Sequence, residues 1–175
     1  MKLTVWTIGH STRALGEFLD LLAGHAIQTL ADVRRFPGSR RHPQFAQDAL
    51  SQVLDAHGIA YRWLPALGGR RRPRTDSRNT AWRNASFRGY ADHMESAAFA
   101  AGLDELLALA GQGRTTLMCA EAPWWRCHRA LIADVLRVRG IEVVHIVDAR
   151  SSMRHPYTSA ARIVEGRLTY APGAG

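Results

Sequence analysis

The feature that most constrains the fold is an alternation of short apolar runs with longer stretches of helical spacing. The apolar runs are Leu3–Ile8, Ile27–Val33, Ile59–Leu64, Thr115–Cys119 and Ile141–Val147. Runs this short, bounded by Gly, Pro or charged residues, read as buried strands. Between the first two, Leu15, Phe18, Leu19 and Leu22 recur at three- and four-residue intervals over residues 14–25, an amphipathic helical stripe with Thr12 placed to cap it. Phe45, Ala49, Val53 and Leu54 mark a second helix closing near Gly58. A third pattern covers residues 90–110 through Phe99, Leu103, Leu106 and Leu107, with Ser96 or Gly102 as a point of division; residues 127–139 form a fourth. Alternating strands and helices predict an α/β class: a three-layer, Rossmann-like domain whose mainly parallel sheet of about five strands is flanked by helices. Right-handed crossovers follow.

A chain of 175 residues fits one domain. Its core is expected over about residues 1–148, with a tail at 149–175 where the pattern fades. No apolar run approaches the ~20 residues of a membrane helix. The opening MKLTVWTIGHS lacks the apolar region and cleavage site of a secretory signal. A cytoplasmic protein without membrane attachment is therefore expected. Cys119 and Cys127 are too few for a secreted disulfide scaffold, and read as thiols, ligands or core residues rather than a staple. Cofactor and oligomeric state stay open.

The charge narrows the partners. The net charge is +8, and 22 of the 23 basic residues are Arg, Lys2 being the single Lys. Arg34, Arg35, Arg40 and Arg41 cluster in one loop; Arg70, Arg71, Arg72, Arg74 and Arg78 cluster in another. The planar guanidinium suits phosphate and carboxylate, and dense patches concentrate anions. An anionic small molecule or a nucleic acid is the expected partner, against solvated surface charge. The second cluster lies in a basic loop, residues 65–86, with no apolar periodicity and too long for an ordinary connection. It is expected to be either functional or mobile. Arg40 and Arg41 of the first cluster and Arg70, Arg71, Arg72 and Arg83 of the basic loop are the candidate phosphate contacts, and Trp82 a base-stacking surface.

In a parallel sheet, ligands bind beyond the carboxyl ends of the strands. Polar and titratable residues follow four successive strands: His10, Ser11 and Arg13; Asp32 and Arg34; the arginine loop; and Cys119, Glu121, Arg126, Cys127, His128 and Arg129. Catalytic candidates are His10, Asp32, Glu121 and Cys127. Anion-binding candidates are Ser11, Arg13, Arg34, Arg126, His128 and Arg129. If Cys127 opens a helix, the unpaired amides and flanking arginines favour its thiolate; packed inward, it is only a small apolar group. Glu121, desolvated by Trp124 and Trp125, would act as acid or base; paired with an arginine, it would only orient that arginine. Asp32 carries the same ambiguity, since a carboxylate there also caps turns.

The strand–Cys–loop–helix run, preceded by Leu30-Ala-Asp32-Val-Arg34, looks like a rhodanese-type sulfurtransferase, but six residues separate Cys119 from Arg126, too many for a tight anion cradle. Cys119, Cys127, His128 and His10 are zinc-ligand types whose spacing matches no common zinc module, and no metal is expected.

Thr7-Ile-Gly-His-Ser-Thr12, Asp32-Val-Arg34, the Phe36-Pro to Phe45 segment, Leu67-Gly-Gly69, Trp82 to Tyr90, Cys119-Ala-Glu121 and Cys127-His-Arg129 together resemble a bacterial family, the domain of unknown function 488, from about residue 6 to residue 146. The resemblance implies a compact cytoplasmic α/β domain with its signature residues at the strand ends, and no particular reaction. Three functions are consistent with these residues: an enzyme acting on an anionic substrate such as a nucleotide or nucleic acid (a hydrolase or transferase on phosphate-bearing groups); a non-catalytic nucleic-acid-binding module; and a rhodanese-like sulfur-transfer or thiol-redox protein.

Overall fold

The computed structural model describes residues 2–173. Five parallel strands, β1 (Thr4–Gly9), β2 (Thr29–Asp32), β3 (Ala60–Trp63), β4 (Thr115–Cys119) and β5 (Glu142–Ile146), and the antiparallel β6 (Ser152–Arg154) form one sheet of order β3-β2-β4-β1-β5-β6. The central β4 is buried at every residue, which is why its sequence, Thr-Thr-Leu-Met-Cys, carries no charge and no polar alternation. Helices α1 (Leu15–Gly24) and α2 (Gln47–Ala56) cover one face through Phe18, Leu22, Leu50 and Leu54. On the other face α3 (Ala85–His93), α4 (Ala97–Gln112) and α5 (Arg129–Val138) pack through Tyr90, Leu103, Leu106, Leu131 and Leu136. The adjacent strands β1 and β4 therefore send their following helices to opposite faces. That divergence is the switch point at which α/β sheets open a crevice.

Several element boundaries differ from the sequence reading. Thr12 does not cap α1: Ala14 holds the cap position without a side-chain bond, because the Arg13 amide closes a turn onto the His10 carbonyl first. Phe45 lies in a separate 3-10 turn, Pro43–Phe45, ahead of α2. The pattern over residues 90–110 divides at Ser96, whose Oγ accepts from the Phe99 amide, while Asn84 starts α3 by accepting from the Ser86 and Phe87 amides. The basic loop is pinned rather than loose. Buried Asp92 accepts from the Arg74 amide, Ser77 Oγ and Asn79 Nδ2 at 2.6–2.8 Å, and Tyr90 donates to the Leu67 carbonyl at 2.7 Å.

The tail that sequence left unplaced contributes β6 and a hairpin, β7 (Arg162–Val164) with β8 (Arg167–Thr169). A buried chain of polar groups ties it to the core. The Asp134 carboxylate on α5 accepts from His155 Nε2 (2.7 Å), the Thr158 amide (3.0 Å) and hydroxyl (2.6 Å), and the Tyr170 hydroxyl (2.7 Å). With its hydrogen on Nε2, His155 uses Nδ1 to accept from His145 Nε2 at 2.8 Å, and His145 Nδ1 in turn accepts from the Thr7 hydroxyl at 2.5 Å.

Candidate functional site

A cleft of about 260 Å³ opens beyond the carboxyl ends of β2 and β4, on the α3–α5 side. Cys119, Cys127 and His128 form its floor, Tyr90 and Phe87 one wall, and Arg35, Phe36, Arg70, Glu121 and Arg126 its rim, with buried Arg34 lining it from behind. The wall comes from α3 and the other residues from the segments that follow strands or from the pinned loop, so the packing of α3 on the sheet sets their spacing.

Cys127 precedes α5 by two residues instead of opening it, which corrects the expected helix start. The first helical amide nevertheless reaches it: the Arg129 N–H lies 3.5 Å from Cys127 Sγ. His128 Nε2 faces the Val33 carbonyl at 2.8 Å, so that nitrogen carries the hydrogen and Nδ1 presents a lone pair, 3.6 Å from the same sulfur. Burial, with Arg129 and Arg71 adding to it, pulls the His128 pKa to about 4, and the ring is a neutral acceptor near neutrality. Gly69 keeps this arrangement possible, because a Cβ there would press on His128 Nδ1. Cys119 and Cys127, read from sequence as unlinked, are paired sulfur to sulfur, their Cα atoms 7.2 Å apart.

Behind the rim, Arg34 is held from every side. Its Nε and Nη2 bond the two oxygens of fully buried Asp32 at 2.9 and 2.8 Å, and Nη1 donates to the Phe45 carbonyl at 2.8 Å. Asp32 also accepts from the Arg34 amide (3.1 Å) and the Tyr61 hydroxyl (2.5 Å), a bond that joins burial in raising the tyrosine pKa. Asp32 thus fixes Arg34 and does not face the cleft. His10 stacks on Phe45 at 4.5 Å, donates from Nδ1 to the Ser11 carbonyl and turns Nε2 toward Arg34. Burial lowers its pKa to about 4. It too stands behind the cleft, as a support.

The other sequence candidates separate. Glu121 is exposed at the cleft edge, not desolvated between Trp124 and Trp125, which turn to the far side of their loop. Arg13 and Arg129 line a second hollow on that far side. Ser11 adopts a left-handed backbone (φ 50°) and bonds the Ala120 carbonyl through its amide. Arg71 braces its own loop by donating to the Gly68 and Pro65 carbonyls. Trp82 packs against Phe87 and Tyr170, and so is no free stacking surface. Arg40, Arg41, Arg70, Arg72 and Arg83 are exposed. The zinc arrangement does not form: among the described residues no three His, Cys, Asp or Glu side chains are placed to hold a metal. Sequence reasoning missed Phe36, which is 61% exposed with the Arg35 and Arg70 guanidinium carbons 5.3 and 5.7 Å from its ring centroid. Its sequence signals were an aromatic between two arginine pairs and its place in the Phe36-Pro motif.

The loops after β1 and β4 touch at Gly9, where a Cβ would collide with the Glu121 carbonyl and the Ala122 backbone. Gly9→Ala is expected to destabilise the protein by about 1–3 kcal/mol. Gly16→Ala, at a helical position with open space around it, is expected to stabilise by about 0.5 kcal/mol. Urea denaturation of both variants checks the pair; equal midpoints would contradict the contact.

The fold and cleft define an α/β protein with a largely parallel six-stranded sheet and a polar crevice at its strand carboxyl ends. The chain belongs to the family described as domain of unknown function DUF488, which it matches over residues 14–136. No curated protein and no solved structure matches it. No helix among the described residues is long and apolar enough to cross a membrane.

Proposed function

We propose that the cleft is the active site of an enzyme acting on an anionic substrate, a nucleotide or a nucleic-acid phosphate, with the reduced Cys127 thiol as its reactive group. The observation that carries this reading is the sulfur's position. It sits at the bottom of an arginine-rimmed cleft, between a helix-leading amide that favours negative charge and a lone pair placed to accept the thiol hydrogen once the pair with Cys119 is reduced. His128 is too weak a base to hold a free proton near neutrality, so proton transfer accompanies attack instead of preceding it. Arg70 and Arg126, neither in an ion pair among the described residues, hold the substrate charge; Arg34 is a fixed contributor, and Glu121 stands at the edge as acid or base.

The test is alkylation of the reduced protein by iodoacetamide at about pH 7, read by mass spectrometry, with and without inorganic pyrophosphate or a 5′-mononucleotide. The expected result is modification of Cys127, slowed by the anion, with Arg70→Ala and Arg126→Ala losing that protection. No modification up to about pH 9, or modification indifferent to both anions, overturns the reading.

The Phe36 platform favours a second reading, in which the cleft mouth grips nucleic acid without catalysis. A base stacked on Phe36 and phosphates held by Arg70, Arg40 and Arg41 predict a log–log salt slope of about −0.7 per single-strand contact. Phe36→Ala would weaken binding without changing that slope, and Arg70→Ala would reduce the slope. Absence of binding to duplex and single strand at about 50 mM salt removes this reading. Thiol-redox chemistry draws support from the Cys119–Cys127 contact, and a stable change in mononucleotide affinity on reduction is its expected sign.

A further inference from the structure

The loop carrying residues 120–126 has a hollow on each side. The second, about 190 Å³, lies past the carboxyl ends of β1 and β5, and is lined by Arg13, Trp124, Trp125, Arg129, Val147 and Met153. It is mostly apolar, but it contains a buried cation. Arg129 is 2% exposed, and its Nη2 donates to the Ala122 carbonyl. Its Nε and Nη1 have no partner, and neither does Trp124 Nε1. Three of the four buried, unpartnered side-chain polar atoms among the described residues thus belong to two residues lining one hollow.

No acid balances this guanidinium. Among the described residues Arg129 is in no ion pair, and its neighbour Arg13 is directed to Glu17 and the Gly9 carbonyl. Burial, then the Arg13 charge, lowers the Arg129 pKa to about 9 against the opposing pull of Glu121, which still leaves it cationic near neutrality. Buried charges are normally paired, since desolvating an ion costs several kcal/mol, and buried N–H groups normally have acceptors. An acceptor with negative charge, small enough for the hollow and with a body suited to indole and aliphatic walls, would both satisfy these N–H groups and balance the charge.

We infer that this hollow is a binding site for a small monoanionic carboxylate with an apolar body, held through Arg129 and the Trp124 indole N–H. The apolar body lies against Trp125, Val147 and Met153. Inorganic phosphate fits less well, because mostly apolar walls solvate a multiply charged ion poorly. The site is separate from the cleft and does not depend on the function proposed for it.

Benzoate is a suitable probe, followed by calorimetry and thermal unfolding of the intact protein. At about a hundredfold excess over its Kd it is expected to raise Tm by about 5–10 °C. Arg129→Met, which removes an unpaired buried charge and so is expected to fold, loses about 10- to 100-fold in benzoate affinity. Val147→Trp fills the hollow without touching the cation and is expected to abolish binding. A 5′-mononucleotide, the probe for the cleft, leaves the benzoate Kd unchanged. The inference is overturned if benzoate does not bind, if Val147→Trp binds it normally, or if the mononucleotide displaces it. It is equally overturned if phosphate or chloride competes as well as benzoate does, which would indicate an adventitious ion only.

Discussion

Asp134→Ala is expected to lower stability by about 3–5 kcal/mol, with a fall in Tm of about 10 °C or more. The size follows from what the carboxylate holds. Four donors from the tail converge on it, from His155, Thr158 and Tyr170, and all of these except Thr158 are buried. Removing the acceptor leaves donors in a dry interior, where each unsatisfied group costs about 1–3 kcal/mol. The loss passes along the chain, because His155 fixes the hydrogen of His145, which accepts from Thr7 on the central strand β1. Tyr170→Phe removes only one donor and is expected to cost about 1 kcal/mol. Thermal unfolding by circular dichroism checks both. An Asp134→Ala protein melting within about 2 °C of the wild type would show that water replaces the tail's contacts.

The same network shows why part of this fold could not be read from the sequence. The central parallel strands were legible because burial on both faces removes charge and alternation, as in Thr115–Cys119, whereas the edge strand β3, exposed at three of its four residues, was legible through its buried flanks Ile59 and Leu64. The strand β6 borders the sheet with all three residues exposed, and the β7–β8 hairpin is exposed over most of its length. Neither leaves a hydrophobic period. The tail is held by hydrogen bonds to Asp134 spread over residues far apart in the chain, together with β6 pairing on β5 and Ala160 and Tyr170 packed into the core. Helix starts failed for a related reason. Thr12 has the chemistry of a cap, but the left-handed turn at Ser11 and the bond from Arg13 to His10 place the helix start later.

The candidate site was legible in outline and not in division. Residues that follow strands are brought to one end of the sheet by topology alone, which is how Arg34, Cys127 and His128 meet in one cleft. Which arginines are free depends on partners that no local pattern reveals. Arg34 is neutralised by Asp32, Arg71 bonds backbone carbonyls, and Arg74 is directed to Asp92 and Glu95. Arg70 and Arg126 remain at the rim, and Arg129 is buried with no counter-ion. A +8 chain is therefore not a uniform basic surface; its useful charge is a small subset selected by tertiary contacts.

Acid is expected to destabilise this protein steeply, well before its carboxylates protonate. His10 and His128 are held at a pKa of about 4 and His145 at about 2, all from a normal value of 6.5 and all chiefly through burial. In the unfolded chain each takes up a proton near pH 6.5, and in the folded protein none does until about pH 4 or below. Above about pH 6.5 neither state is protonated and the three have no effect on stability. As pH falls below that value the unfolded state binds the extra proton, so folding weakens by about 1.4 kcal/mol per pH unit for each histidine. Together they remove about 6 kcal/mol between pH 6.5 and pH 5, comparable with the whole stability of an ordinary domain. Urea titrations at about pH 7.5, 6.5 and 5.5 are expected to give a flat profile followed by a sharp fall. His10→Gln retains the stacking on Phe45 only in part and lowers stability at neutrality, yet it flattens the acid slope by about a third. A profile level from pH 7.5 to 5 would mean that these rings take up protons while folded, and that water reaches the supports of the cleft.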